Sequence, residues 1–342
     1  MAEGTRESFA GSGRLPEGLI YPDLVHSGMV EMLVQNTDAF NAASRNTIRL
    51  VTQARMGDFH QASFFKNVSS LVNRREVATS PANAAVTASA VPADEKISVK
   101  VNRRIGPIDQ TLDSFKKMGM NGDFRTLSFL LGGQIAKAYQ VDQLDTGLRA
   151  VAAAIQGQAG LVANGEASPP TTLDTIDLVN GLALFGDGAN RIDLWVMHSK
   201  VFYDLVKDQI TRNIDGLSNF NVASATPVTL NRPVLITDSA ALIQQVDSPL
   251  RNQYLTLGLS MDAVVLEDSE NPLMYADVIT GKENIVARLQ GESAYNVSCK
   301  GFKWDVANGG VNPTDAALAT STNWDSVMDS VKDLAGIVIK SF

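Results

Sequence analysis

The chain has little of what most enzymes and metalloproteins rely on. Among its 342 residues there is one cysteine, Cys299, and three histidines, His26, His60 and His198. A single thiol excludes an internal disulfide framework, and three scattered imidazoles give no metal-ligand spacing, so no metal or other cofactor is expected. Free cysteine is among the residues most often buried, which assigns Cys299 to a core. No apolar run reaches the length of about 18 residues that a membrane-spanning helix needs, so no membrane partner is expected. The opening stretch, MAEGTRESFAGSG, has no basic segment followed by an apolar core. No secretory signal is expected there, and the protein reads as intracellular in origin.

Catalytic motifs are missing as well. No GxSxG, HExxH, CxxC, GxxxxGK[ST] or EF-hand loop occurs. Gly186-Asp187-Gly188 holds two glycines of a phosphate-binding pattern but follows a helical periodicity, so it reads as a turn. His198 and Ser199 are adjacent on an apolar run, and neighbouring residues in a strand point to opposite faces. Glu267 with Asp268, and Asp142 with Asp145, read as solvated surface. Trp195, Trp304 and Trp324 read as separate packing residues. No catalytic residue is identified, and a non-enzymatic protein is expected.

The net charge of −8 and pI near 5.0 argue against tight nucleic-acid binding, which calls for a basic stripe. The charge is unevenly placed, however. Residues 57–107 hold seven basic side chains (Lys66, Arg74, Arg75, Lys96, Lys100, Arg103, Arg104) against four acidic ones, whereas residues 258–342 hold twelve acidic against six basic. A net +3 segment and a net −6 segment could be complementary between copies of one molecule.

What is present centres on residues 123–156, which read as one amphipathic helix about 50 Å long at roughly 1.5 Å per residue. Phe124, Leu127, Leu131, Ile135, Tyr139, Leu144, Leu148, Val151 and Ile155 form its apolar stripe; Arg125, Lys137, Asp142, Asp145 and Arg149 lie opposite. Asp123 can cap its start. Gly132-Gly133 and Gly147 inside it mark a bend or the close approach of another backbone.

Around this spine the chain divides into five parts. Residues 1–56 form an N-terminal arm, with Met29, Leu33, Phe40, Ile48 and Val51 in short helical pieces. Residues 57–117 form an extended two-stranded excursion, with Phe64, Val68 and Val72 on one strand and Ile97, Val99 and Val101 on the other. Its tip, TSPANAAVTASAVPAD, has nothing to bury. The spine lobe spans 118–168. A mixed lobe spans 169–295, with a helix capped by Thr172, a buried strand at 192–199, a helix capped by Ser199, a strand at 232–238, and paired strands at 254–259 and 263–267. Residues 296–342 return to the spine lobe. With no regular βαβ rhythm, the class is α+β.

At WVMHSKVFYDL (195–205), followed in order by PVLITDS (233–239), LGLSMDAVVLE (257–267) and KGFKWD (300–305), the chain resembles the major capsid proteins of tailed bacteriophages. The resemblance covers mainly residues 120–325; the arm and excursion match by position and character. It implies the tailed-phage coat fold: an N-terminal arm, an extended loop, a peripheral lobe carrying the spine helix, and an axial lobe at capsomer centres. It further implies hexamers and pentamers closing an icosahedral head around double-stranded DNA, bound without sequence specificity, assembled in the host bacterial cytoplasm and located in the virion capsid. Implied partners are a separate scaffolding protein, a portal protein and a decoration protein. Lys66, Arg74, Arg75, Arg103 and Arg104 are the candidate inter-subunit contacts. An encapsulin-like compartment shell is the nearest alternative, and a monomeric α+β ligand-binding protein a remoter one.

Overall fold

The computed structural model describes residues 22–51, 57–66, 68, 72, 88, 90–111, 114, 124–163, 172–216, 229–246, 251–281 and 283–342. The arm forms one helix, α1 (Pro22–Ala43), in place of several short pieces, followed by strand β1 (Ile48–Val51). Val25, Met29 and Leu33, four residues apart, are its buried face.

Next come β2 (Phe59–Phe65), β3 (Ala93–Thr111) and the spine, α2 (Phe124–Gln156). The excursion is a true antiparallel pair in the register Phe59↔Val99 to Phe65↔Ala93. It is not a marginal hairpin, because β3 continues for 19 residues and becomes an inner strand of a larger sheet. Most of its tip, and Asp123 with it, lie outside the described residues.

The chain then runs through β4 (Val162–Ala163), α3 (Thr175–Leu184), β5 (Ile192–His198) and α4 (Ser199–Gly216), followed by β6 (Val234–Thr237), β7 (Ile243–Val246), β8 (Arg251–Ser260), β9 (Val264–Ile279) and β10 (Val286–Cys299). It closes with β11 (Phe302–Trp304), α5 (Val306–Gly309), α6 (Asp315–Leu318), β12 (Trp324–Ser326) and β13 (Gly336–Ser341). A five-stranded sheet has the order β1-β9-β10-β3-β2; a six-stranded path has β4-β13-β8-β5-β6, with β7 beside β8; β11 and β12 pair separately. The fold is α+β, with α2 lying against both large sheets.

Three expectations are corrected. Residues 254–259 and 263–267 do not pair with each other: β8 pairs with β13, β5 and β7, while β9 pairs with β1 and β10. Between them the chain changes sheets through a turn in which Asp262 takes φ 56°, and Lys300 secures that turn by donating to the Met261 carbonyl at 2.8 Å. Residues 264–295 therefore share a sheet with the excursion and not with the mixed lobe. The last strand, β13, lies between β8 and β4, and β4 falls within the bounds of the spine lobe. The cap of α3 is Asp174, in a reciprocal capping box with Asp177, and not Thr172.

The close approach of another backbone is found at Gly132. A Cβ on Gly132 would lie 2.2 Å from the Val25 carbonyl oxygen, and one on Gly28 would lie 2.6 Å from that of Phe129, so α1 and α2 meet backbone to backbone. Gly147 meets side chains instead: a Cβ there would lie 3.1 Å from Leu266 Cδ1 and 3.2 Å from Val264 Cγ1 of β9. Cys299 is fully buried, and burial pushes its thiol up to about 12. Trp304 and Trp324 do not pack separately: their rings meet edge to face at 4.9 Å.

Candidate assembly surfaces

The excursion is tied to the rest of the chain at Arg103. Its Nε donates to Asp142 Oδ2 at 2.8 Å and to the Tyr295 hydroxyl at 3.2 Å; its Nη2 donates to Thr146 Oγ1 at 2.8 Å and to Asp315 Oδ1 at 2.7 Å. Tyr295 donates in turn to Asp142 Oδ2 at 2.8 Å and lies 2.9 Å from Thr146 Oγ1. One guanidinium thus joins β3, the spine, β10 and α6. Burial works against its charge, but the Tyr295 hydroxyl and the carboxylates of Asp315 and Asp142 outweigh that and raise its pKa above the ordinary arginine value. Arginine suits this node because its planar fork offers several donors in fixed directions.

The sequence-derived contact residues therefore separate. Arg103 faces inward. Lys66 lies at the end of the strand pair nearest the excursion's tip, 3.0 Å from Asp94 and 3.7 Å from Asp329 of the C-terminal segment. Its bond to Asp94 raises its pKa. Arg104 is exposed and makes no ion pair among the described residues. Arg74 and Arg75 lie outside the described residues. Asp142, Thr146, Tyr295 and Asp315 were missed. Only the fourfold spacing of Asp142 and Thr146, on the side of the spine that also bears Tyr139, could have signalled part of the node.

A second polar group lies between spine and sheet. Asp268 accepts from the Tyr139 hydroxyl at 3.2 Å and from Gln143 Nε2 at 2.9 Å. Asp142 and Asp268 are therefore structural acceptors in place of the solvated surface expected. Burial raises the Asp268 pKa, only partly offset by those two donors, and burial also raises that of Tyr139. The folded state thus holds the Asp268 proton to higher pH than the unfolded chain, whose carboxylate titrates near 3.8. By linkage, ionisation costs stability as pH rises through this interval and costs nothing below it. Asp268→Asn keeps an acceptor for both donors. It is expected to match the wild type in melting temperature near pH 4 and to exceed it at pH 7, an order checked by thermal scans across that range.

His198 and Ser199 do converge, contrary to the strand-alternation argument, because β5 ends and α4 begins between them. The Ser199 hydroxyl donates to Asp238, and His198 Nε2 is 3.8 Å from the same carboxylate. His198 Nδ1 accepts the Lys200 amide at 3.2 Å. The carboxylate, not the imidazole, sits at the hydroxyl, which is not the serine–base contact of a nucleophilic relay. No group of three or more His, Cys, Asp or Glu side chains able to hold a metal occurs among the described residues, and no helix there is long and apolar enough to cross a membrane.

A long spine helix thus lies against two sheets, and an extended strand pair runs out from one of them. A family model described as Gp13-like, major capsid protein 13-like, matches residues 19–338. The chain belongs to the Gp13-like family of major capsid proteins. It is a capsid shell protein, located in the virion capsid, and its partner is itself. None of the curated proteins matches it.

Solved structures similar to it include the capsid of Ralstonia phage GP4, at 9% identity and TM-score 0.49, covering 86% of this chain and 87% of that one. Mycobacterium phage Cain shows 14% identity and TM-score 0.48, covering 84% and 90%. Microbacterium phage Oxtober96 shows 13% identity and TM-score 0.47, covering 87% and 90%. At such identities and scores the likenesses add nothing on function, and the family match carries the conclusion.

Proposed function

We propose that the protein assembles into hexameric and pentameric capsomers that close an icosahedral tailed-phage head around double-stranded DNA. The six-stranded sheet serves as the lobe nearest each capsomer centre, with bounds near 157–263 and 329–342. The five-stranded sheet and the spine form the periphery. The observation that supports this reading best is the anchoring of β3: a strand held by Arg103 to the spine, β10 and α6 can carry load from an excursion that lies over a neighbour. Arg74, Arg75, Arg104 and Lys66 are the contacts assigned to that neighbour, with Arg103 as their internal support. A chain with pI near 5.0 suits a shell that encloses DNA and must release it. A separate scaffolding protein, a portal protein and a decoration protein complete the assembly.

Sedimentation velocity and negative-stain imaging of the purified chain, alone and co-expressed with its scaffold, test this. Shells, or rings of five and six, are expected. A monomer under every condition would sink the proposal, and nuclease-resistant, protein-filled particles would favour a cargo compartment instead.

A further inference from the structure

Past the Arg103 node, β9, β10 and β3 run on together as a ribbon, and one face of it is exposed. Residues directly opposite on neighbouring strands share a face, so the register sorts the outer side chains into rows. Leu273, Glu292 and Arg104 form the first row, Tyr275 and Gln290 the second, and Asp277, Arg288 and Asp109 the third. Arg104 and Asp109 are five apart and would point to opposite faces of a regular strand. They share one because Gly106 and Pro107 together stand opposite the single residue Gln290, a bulge that shifts the register by one.

Leu273 and Tyr275 are each 71% exposed. Asp277, Glu292, Arg104 and Asp109 are exposed as well. Arg288 donates to both oxygens of Asp109 at 2.6 Å. A groove of about 470 Å³ runs along Leu273, Tyr275, Arg288, Gln290 and Glu292. Two large apolar side chains set together inside a charged rim are the pattern of an interaction site.

We propose that this face packs on the same face of a second copy, around a two-fold axis that runs across the strands through the second row. Charge selects both the occupant and the axis. With the axis across the strands, each strand lies over its counterpart and the first row of one copy lies over the third row of the other. Glu292 then meets the second copy's Arg288, Arg104 meets its Asp109, and the two Tyr275 rings pack at the centre with Leu273 beside them. An axis along the strands would set Glu292 on Glu292 and Arg288 on Arg288, which like charges oppose. The face is thus self-complementary, as an isologous contact requires, and this chain is a shell protein whose partner is itself. Three strands at about 4.8 Å and seven residues at about 3.3 Å give a face of roughly 300 Å². That is well under the roughly 800 Å² per partner of a stable complex, so the contact forms within the shell and not between free subunits. It rests on the self-assembly reading above.

The test uses the full chain, whose one native thiol, Cys299, is buried. A single added cysteine therefore gives one accessible thiol per copy, and every cross-link joins two copies. Tyr275→Cys and Asp277→Cys are made separately, and assembled particles are treated with a bis-maleimide spanning about 10 Å, the spacing of face-packed sheets. Dimers on denaturing gels are expected from Tyr275→Cys, which lies on the axis. Few are expected from Asp277→Cys, whose two copies lie on opposite sides of the axis and are offset by a further distance of about 13 Å along the strands. Monomers from Tyr275→Cys in intact particles overturn the contact, as does an equal or greater yield of dimer from Asp277→Cys. Tyr275→Glu, which sets two carboxylates on the axis, is expected to leave thermal unfolding unchanged and to abolish particles, whereas Tyr275→Phe assembles. Normal particles from Tyr275→Glu overturn the proposal independently. If the wild type itself forms no particles with or without scaffold, the self-assembly reading fails and takes this contact with it, an outcome distinct from normal particles that do not cross-link.

Discussion

Gly132→Ala is expected to destabilise the protein by about 3 kcal/mol, at the upper end of what overpacking costs. The added carbon would lie 2.2 Å from the Val25 carbonyl oxygen and 3.0 Å from the Met29 amide nitrogen. Both are backbone atoms on the inner face of α1, so no side chain can turn aside, and α1 must lift from the spine. Val25, Met29 and Leu33 would lose packing with it. Gly133→Ala, one residue on, is the matched control: its nearest neighbour is Met32 Cγ at 3.6 Å, an ordinary contact. There the helix propensity of alanine should stabilise by up to about 1 kcal/mol. Urea denaturation of the two variants checks the pair. Equal and small shifts would mean that α1 does not press on the spine at Gly132.

Arg103→Met is expected to cost about 2–3 kcal/mol of folding stability. The lower part of the range for breaking a buried ion pair applies because the Arg103 side chain remains 23% exposed and solvent screens part of the loss. Methionine keeps the aliphatic stem but leaves Asp142, Asp315 and the Tyr295 and Thr146 oxygens without their shared donor. Arg103→Lys should recover only part of the loss, since an ammonium cannot serve four acceptors spread over a planar fork. Arg104→Glu, at an exposed position, should shift stability by no more than about 0.5 kcal/mol, and its effect should appear in assembly. Measuring the denaturant midpoint and particle yield for all three variants separates these roles. An Arg103→Met chain with a wild-type midpoint and no particles would show that Arg103 acts between subunits after all. Sequence reasoning placed Arg103 and Arg104 together, yet neighbours on a strand face opposite sides, so one guanidinium meets the spine and the other meets solvent.

Much of the architecture could be read from local pattern. The α2 stripe, the apolar run at 192–198 and the alternation around 97–101 are each produced by a periodicity of 3.6 or 2, which sequence displays directly. The glycines of the spine signalled a close approach without naming the partner, which proved to be α1. What local pattern does not carry is pairing. β8 and β9 are consecutive apolar strands joined by a short turn, and nothing in their residues distinguishes a hairpin from a change of sheet. The same holds for β13, whose Ile337, Val338 and Ile339 would suit any buried strand.

The amino-acid order alone thus determined the elements, their buried faces, the α+β class, the buried thiol and, through the order of four stretches, the family of coat proteins. Each depends on residues close along the chain. Only the tertiary structure decided which sheet each strand enters, that Arg103 is an internal tie while Arg104 is exposed, and that Asp142 and Asp268 are structural acceptors. Those outcomes depend on contacts such as Arg103 to Asp315 and Tyr139 to Asp268, between residues more than a hundred positions apart. Such contacts are set by how packed layers share buried area and hydrogen-bond partners, which no local periodicity records.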